Sequence, residues 1–318
     1  MKKHSYNGYT LIELLVVISV ISMLLALVVP ALNRVRIQAK SVVCRSNLRN
    51  VGVAILSYSS SNDNLLPVSY RYFNSSEGVG IRHWSSLIMP HEFESSKVFS
   101  CPAVKNGGLP PANTYEDNLE AGQTVMTEGV IDMQARRCAY VLNESLCPRN
   151  RFEVGFEGAV RPSRQVKAQV VSDPANTILA TEYNKDWKML ADYNGGYCRS
   201  FLPVHGFVCI GSKSDDQYDL NMVSGGSTLP CFKSGPFSRI TDRDLMDNPK
   251  SGRKNPARLN FVGRNHGPSY DGNGVNESAS SFLYLDGRVE STSIYDTLED
   301  FQWGKKIYSL KGDARVKK

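Results

Sequence analysis

Residues 11–29 read LIELLVVISVISMLLALVV. At about 1.5 Å of rise per residue this run makes a helix of about 28 Å, close to the roughly 30 Å hydrocarbon core of a bilayer. Only Glu13, Ser19 and Ser22 interrupt it. Lys2 and Lys3 precede it, so a cleaved secretory signal is the plain alternative. The run is longer than a usual signal core, and no small-x-small cleavage site follows it. Glu13 suits neither a signal core nor a simple anchor, because an ionised carboxylate in lipid is costly unless it has a partner or a role.

Beyond Pro30 the helical pattern resumes. Leu32, Val35, Ala39 and Val42 recur at 3, 4, 3 spacing, as do Leu48, Val51, Ile55 and Tyr58. This predicts an amphipathic helix over 31–62 that continues the span and stops at the Ser59-Ser60-Ser61-Asn62 cluster, its apolar stripe packing on the head or on neighbouring helices. Pro30 is expected to kink that helix or to remove one of its hydrogen bonds.

The chain has 318 residues, 41% apolar and 21% charged, with a net charge of +6. That composition is one of a folded protein with a substantial core. The positive charge is terminal. Arg34, Arg36, Lys40, Arg45 and Arg49 fall in the stalk with no acid among them, and a basic tail spans 304–318. Residues 63–303 are left mildly acidic, which argues against a nucleic-acid-binding face.

Seven cysteines (Cys44, Cys101, Cys138, Cys147, Cys198, Cys209 and Cys231) are many for a reducing compartment. None forms a CxxC pair, so a zinc ribbon or thioredoxin-type site is not indicated. Disulfides fit better, with one cysteine left over, but the connectivity cannot be read from the sequence.

The string Gly8-Tyr9-Thr10-Leu11-Ile12-Glu13-Leu14-Leu15-Val16-Val17 resembles the prepilin signature of type IV pilins and type II secretion pseudopilins. The resemblance implies cleavage between Gly8 and Tyr9 by a prepilin peptidase and methylation of Tyr9, where the family usually has Phe. It makes Glu13 the fifth mature residue, whose carboxylate pairs with the N-terminal amine of a neighbouring pilin-like subunit during assembly. Pro30 stands at the twenty-second mature position, where many relatives also have proline. The implied organisation is a leader over 1–8, a transmembrane helix over 9–30, the amphipathic helix over 31–62, an extracytoplasmic head over 63–303 and the tail over 304–318. The implied place is the bacterial inner membrane, single-pass, with the head in the periplasm or on an extracellular fibre. The positive-inside rule disagrees, since the stalk carries more basic residues than the leader. Cleavage after Gly8 demands a cytoplasmic leader, and the cysteine content agrees with that orientation.

The resemblance extends past the anchor. Cys44-Arg45-Ser46-Asn47-Leu48-Arg49-Asn50-Val51-Gly52, with Tyr58 and Leu66-Pro67, looks like the stalk of a large group of bacterial prepilin-like proteins. Phe99-Ser100-Cys101-Pro102 matches a Phe-x-Cys-Pro step of that group. His266-Gly267 followed by Asp286-Gly287 matches its His…Asp-Gly motif, with an insertion over 270–280.

Elsewhere the head is rich in Gly, Pro, Ser and Asn between short β-prone runs at 168–171, 177–180 and 207–210. Asp286-Gly287 marks a hairpin between an apolar strand and a return strand over 290–294. The expected fold class is α+β and pilin-like, a long N-terminal helix packed on an antiparallel sheet.

Candidate chemistry is sparse. Asp271, Asn273, Asn276 and Glu277 sit in a Gly-rich loop that resembles Ca²⁺-holding loops, although Phe282 stands where an EF-hand needs its bidentate Glu. No cofactor is required, Ca²⁺ being the one suggested. His266 reads as a structural histidine hydrogen-bonded near the Asp286 turn, and His83 and His91 as packing or surface residues. No HExxH, GxSxG or Walker A loop occurs, so no enzyme is expected. The expected function is an assembly subunit of a type II secretion pseudopilus or type IV pilus-like system. The alternative is a membrane-anchored module binding a secreted substrate or glycan through aromatics such as Tyr70, Tyr72, Trp84, Trp187 and Trp303.

Overall fold

The computed structural model describes residues 9–75, 78–91, 96–112, 119–125, 130–150, 165–184, 187–190, 196–209, 237–239, 258–266 and 279–304. The leader, the Asp271–Glu277 loop and nearly all of the basic tail therefore lie outside the described residues.

One helix, α1 (Leu11–Ser61), runs through both the apolar span and the stalk. At 51 residues it is about 76 Å long. Thr10 caps its start and Asn62 ends it, inside the predicted serine cluster. Pro30 lies within the helix without ending it; lacking an N–H, it leaves the Ala26 carbonyl without its usual donor.

The expected antiparallel sheet is present. It is built from β4 (Tyr140–Leu142), β6 (Ile178–Glu182), β9 (Ser280–Tyr284) and β10 (Val289–Thr292), in the order β10-β9-β6-β4. The strands of β6 and β9 are buried along their whole length. The β9–β10 turn is the predicted hairpin: Gly287 adopts φ +90°, and Asp286 Oδ1 accepts the Arg288 N–H at 2.9 Å. Helix α1 lies across β9, β10 and β6. Gly52 sets the approach, since a Cβ there would come within 2.8 Å of a Leu283 methyl. Leu48, Val51, Ile55, Leu179, Ala180 and Leu283 share one buried cluster.

A second sheet was not anticipated. Strands β1 (Tyr70–Ser75) and β2 (Gly78–His83) form an antiparallel hairpin, flanked by β3 (Val130–Met133) parallel to β2 and β5 (Arg149–Asn150) parallel to β1. A short helix α2 (Trp84–Ile88) follows β2 and touches α1. Strands β7 (Phe207–Cys209) and β8 (Phe237–Arg239) pair antiparallel. Helix α3 (Asp296–Glu299) leads into Trp303, whose indole donates to Thr297 Oγ1 at 2.9 Å.

One expectation needs correction. Residues 168–171 form no strand: Ala168–Val170 is a 3-10 turn held by the local Val170 N–H to Lys167 carbonyl bond, and Val170 is exposed. Local bonding overrides the β-propensity of two valines there. Of the two surfaces expected to cover the helix stripe, the head takes Leu48, Val51 and Ile55, while Leu32, Val35 and Val42 are exposed and left for neighbouring helices. The buried face of the helix begins at Cys44.

Candidate functional site

Helix α1 is divided by its surroundings. From Leu11 to Lys40 every side chain is exposed, a length of about 45 Å. From Cys44 to Ser59 one face (Cys44, Leu48, Val51, Gly52, Ile55 and Ser59) is buried under the head. The head does not cover the apolar half.

At the exposed end, Glu13 closes a capping box. Its Oε2 accepts the Thr10 N–H and the Thr10 hydroxyl, each at 2.8 Å, and its own N–H donates back to Thr10 Oγ1 at 3.3 Å. These bonds use oxygen lone pairs but bring no positive charge to the carboxylate.

At the buried end, Cys44 of α1 is disulfide-bonded to Cys101. Hydrogen bonds hold the Cys101 loop on the helix independently of the sulfurs. Asn47 Nδ2 donates to the Ser100 carbonyl at 2.9 Å, and the Tyr140 hydroxyl donates to the Cys44 carbonyl at 2.9 Å. Against the disulfide lie Glu182, from the end of β6, and His266. His266 Nε2 is 2.8 Å from Glu182 Oε1, and Cys101 Sγ is 3.9 Å from the same oxygen. All four side chains are buried. His266 is thus a buried, hydrogen-bonded histidine whose partner is Glu182. His266 also bridges Ala279 through two backbone bonds, which tie the end of the inserted segment back to the histidine.

Residues 3–29 match the prokaryotic N-terminal methylation motif. The chain carries a prepilin-type signature. The motif supports a pilin- or pseudopilin-like prepilin and points to a structural subunit over an enzyme. It implies processing by a prepilin peptidase and assembly with other pilin subunits. No curated protein and no solved structure matches the chain.

The sequence-predicted residues fall into two places. Tyr9, Glu13 and Pro30 lie along the exposed helix, while Cys44, Cys101 and His266 converge at the joint between helix and head. Glu182 was missed; the only signal was a lone acid closing an otherwise uncharged strand, Ile178–Glu182. Cys138, Cys147 and Cys198 are buried free thiols. Burial pushes Cys138 and Cys198 up to about 12 and raises Cys147 as well, so these three are poor nucleophiles. Of the five aromatics weighed as a glycan platform, Tyr70, Trp84 and Trp303 are core residues, and Tyr72 and Trp187 pack against the core.

His83, expected in a packing or surface role, caps α2. Its Nδ1 accepts from the Ser85 hydroxyl at 2.8 Å and from the Ser85 N–H at 3.3 Å, and burial lowers its pKa to about 3. His91 is exposed. Asp132 is buried in β3, its Oδ2 accepting the Ala112 N–H at 2.6 Å, and burial raises its pKa to about 7. These two groups act oppositely on stability. The depressed His83 contributes stability above its ordinary value of 6.5, lost as pH falls toward 3. The raised Asp132 contributes stability below its ordinary 3.8, lost as pH rises toward 7. Between pH 4 and 6.5 their slopes cancel. Asp132→Asn should leave the His83 slope exposed, so that stability rises with pH by up to about 1.4 kcal/mol per pH unit. Urea midpoints of wild type and variant at three pH values in that window check this; parallel pH profiles would contradict it.

Proposed function

We propose that this protein is an assembly subunit of a type II secretion pseudopilus or a type IV pilus-like system. It is cleaved after Gly8 and methylated on the new terminal nitrogen of Tyr9, and its head faces the periplasm or the fibre exterior. The supporting observation is the division of α1: its apolar half is bare of head contacts and carries one carboxylate. Such a surface is stable only against lipid or against other helices of its kind.

The same surface serves both states in turn. In the membrane, about 30 Å of the bare helix lies in hydrocarbon and the remaining 15 Å or so spans the headgroup region, where Arg34, Arg36 and Lys40 meet phosphates. In a fibre, neighbouring helices replace lipid. Cleavage after Gly8 creates an ammonium on Tyr9, and Glu13 is the one ionisable group of the span available to a neighbour's ammonium. That pairing supplies the positive charge that Thr10 does not, and it fixes the stagger between subunits. The head is tethered to the stalk by packing, by hydrogen bonds at Asn47, the Cys44 carbonyl and Tyr58, and by the Cys44–Cys101 disulfide, so the outer surface follows the helix. The mass of the mature N-terminus, with and without prepilin peptidase, tests this reading. A Ca²⁺ role for Asp271, Asn273, Asn276 and Glu277 is not part of it.

A further inference from the structure

We propose that, once the Cys44–Cys101 disulfide is reduced, the head binds one Zn²⁺ through Cys44 Sγ, Cys101 Sγ, Glu182 Oε1 and His266 Nε2. This does not rest on the assembly reading, and an uncleaved leader would leave it standing.

The geometry is that of a collapsed tetrahedral site. No two of the four ligand atoms are more than 4.8 Å apart. Zn²⁺ bonds of about 2.0 Å to nitrogen or oxygen and about 2.3 Å to sulfur give tetrahedral edges of roughly 3.3 to 3.8 Å. The observed separations of 2.8 Å for the histidine–glutamate pair and 3.9 Å for the sulfur–carboxylate pair bracket those edges. Opening the sulfur–sulfur bond and side-chain adjustments on the order of an ångström supply the remaining change. The backbone need not move, because Asn47 holds the Cys101 loop on the helix and Tyr140 ties strand β4 to the Cys44 carbonyl without the disulfide.

The cluster is under-satisfied as it stands. Glu182 is fully buried, yet among the described residues its second oxygen meets only the Asn265 amide at 3.5 Å. His266 Nδ1 is buried with no hydrogen-bond partner among the described residues. Two thiols, a carboxylate and an imidazole in one dry place are a donor set for a borderline-soft tetrahedral ion rather than for Ca²⁺ or Mg²⁺. The chemistry balances simply. A dithiol reductant donates two electrons and two protons to the disulfide and becomes a disulfide itself, leaving two protein thiols. Zn²⁺ then displaces both thiol protons to solvent. Disulfide and metal are therefore exclusive ways of closing the same joint between helix and head.

The full chain in detergent serves for the test. It is reduced under argon with a phosphine, which does not bind the metal as a dithiol would, and titrated with Co²⁺ as a spectroscopic stand-in. The expected result is one equivalent bound, with thiolate-to-cobalt charge-transfer absorption and tetrahedral visible bands, both removed by one equivalent of Zn²⁺. The oxidised chain should show neither band. Cys44→Ser/Cys101→Ser should abolish the charge-transfer band, which excludes a contribution from the other thiols, and His266→Ala should weaken Zn²⁺ at least ten-fold. Circular dichroism of the reduced wild type establishes that it is folded, so a variant that misfolds does not decide the matter. A folded, reduced wild type with no charge-transfer band overturns the proposal, as does an equal band in the doubly substituted chain.

Discussion

In membranes containing the assembly machinery, Glu13→Gln is expected to insert and to be processed as wild type does, yet to lose subunit association by about a hundred-fold to a few thousand-fold. The substitution is nearly isosteric and its amide oxygen can still accept from Thr10, as Glu13 Oε2 does at 2.8 Å. What it removes is the charge. Breaking one partner of a desolvated ion pair costs about 3 to 5 kcal/mol, and each 1.4 kcal/mol is about a factor of ten in association. The measurement is the yield of covalently cross-linked multimers from membranes of wild type and variant expressed at equal level. Equal yields would show that Glu13 serves only as a helix cap, and the register contact would have to be sought elsewhere on α1.

The second large effect concerns the joint. Cys44→Ala/Cys101→Ala should lower the stability of the head by about 4 kcal/mol, the loop-closure entropy expected for a sequence separation of 57 residues. The helix should come loose before the sheet does. The order β10-β9-β6-β4 is held by its own backbone bonds, whereas α1 is held by the face from Cys44 to Ser59. Thermal melts of the oxidised wild type and the variant, followed by limited proteolysis of the stalk, measure both. A variant that melts with wild type and keeps its stalk protected would mean that Leu48, Val51 and Ile55 suffice to seat the head.

The anchor was legible because lipid imposes its demands on contiguous residues: an unbroken apolar run of the right length, with one carboxylate that calls for a partner. The β9–β10 hairpin was legible for a similarly local reason, since Asp286-Gly287 supplies the side-chain acceptor and the positive φ that the turn uses. The mixed second sheet was not. Strands β3 and β5 join β2 and β1 in parallel over long connections, and nothing near either strand announces its neighbour. The same limit governs the joint. Cys44, Cys101 and His266 were each singled out, but their meeting depends on how α1 crosses β6, a relation between residues up to 222 positions apart that no local pattern encodes. Glu182 completes the cluster from inside a buried strand, where sequence periodicity reports only that the strand is core. The Asp271–Glu277 loop was read from composition and lies outside the described residues.

The most direct test of the central claim is the intact mass of the N-terminus after expression with and without a prepilin peptidase. The account predicts a peptidase-dependent loss of residues 1–8 and one added methyl group on Tyr9, with the uncut chain accumulating in the membrane when the peptidase is absent. A chain that begins beyond Pro30 in both hosts would mean that 11–29 is an ordinary secretion signal, and the assembly function would be wrong.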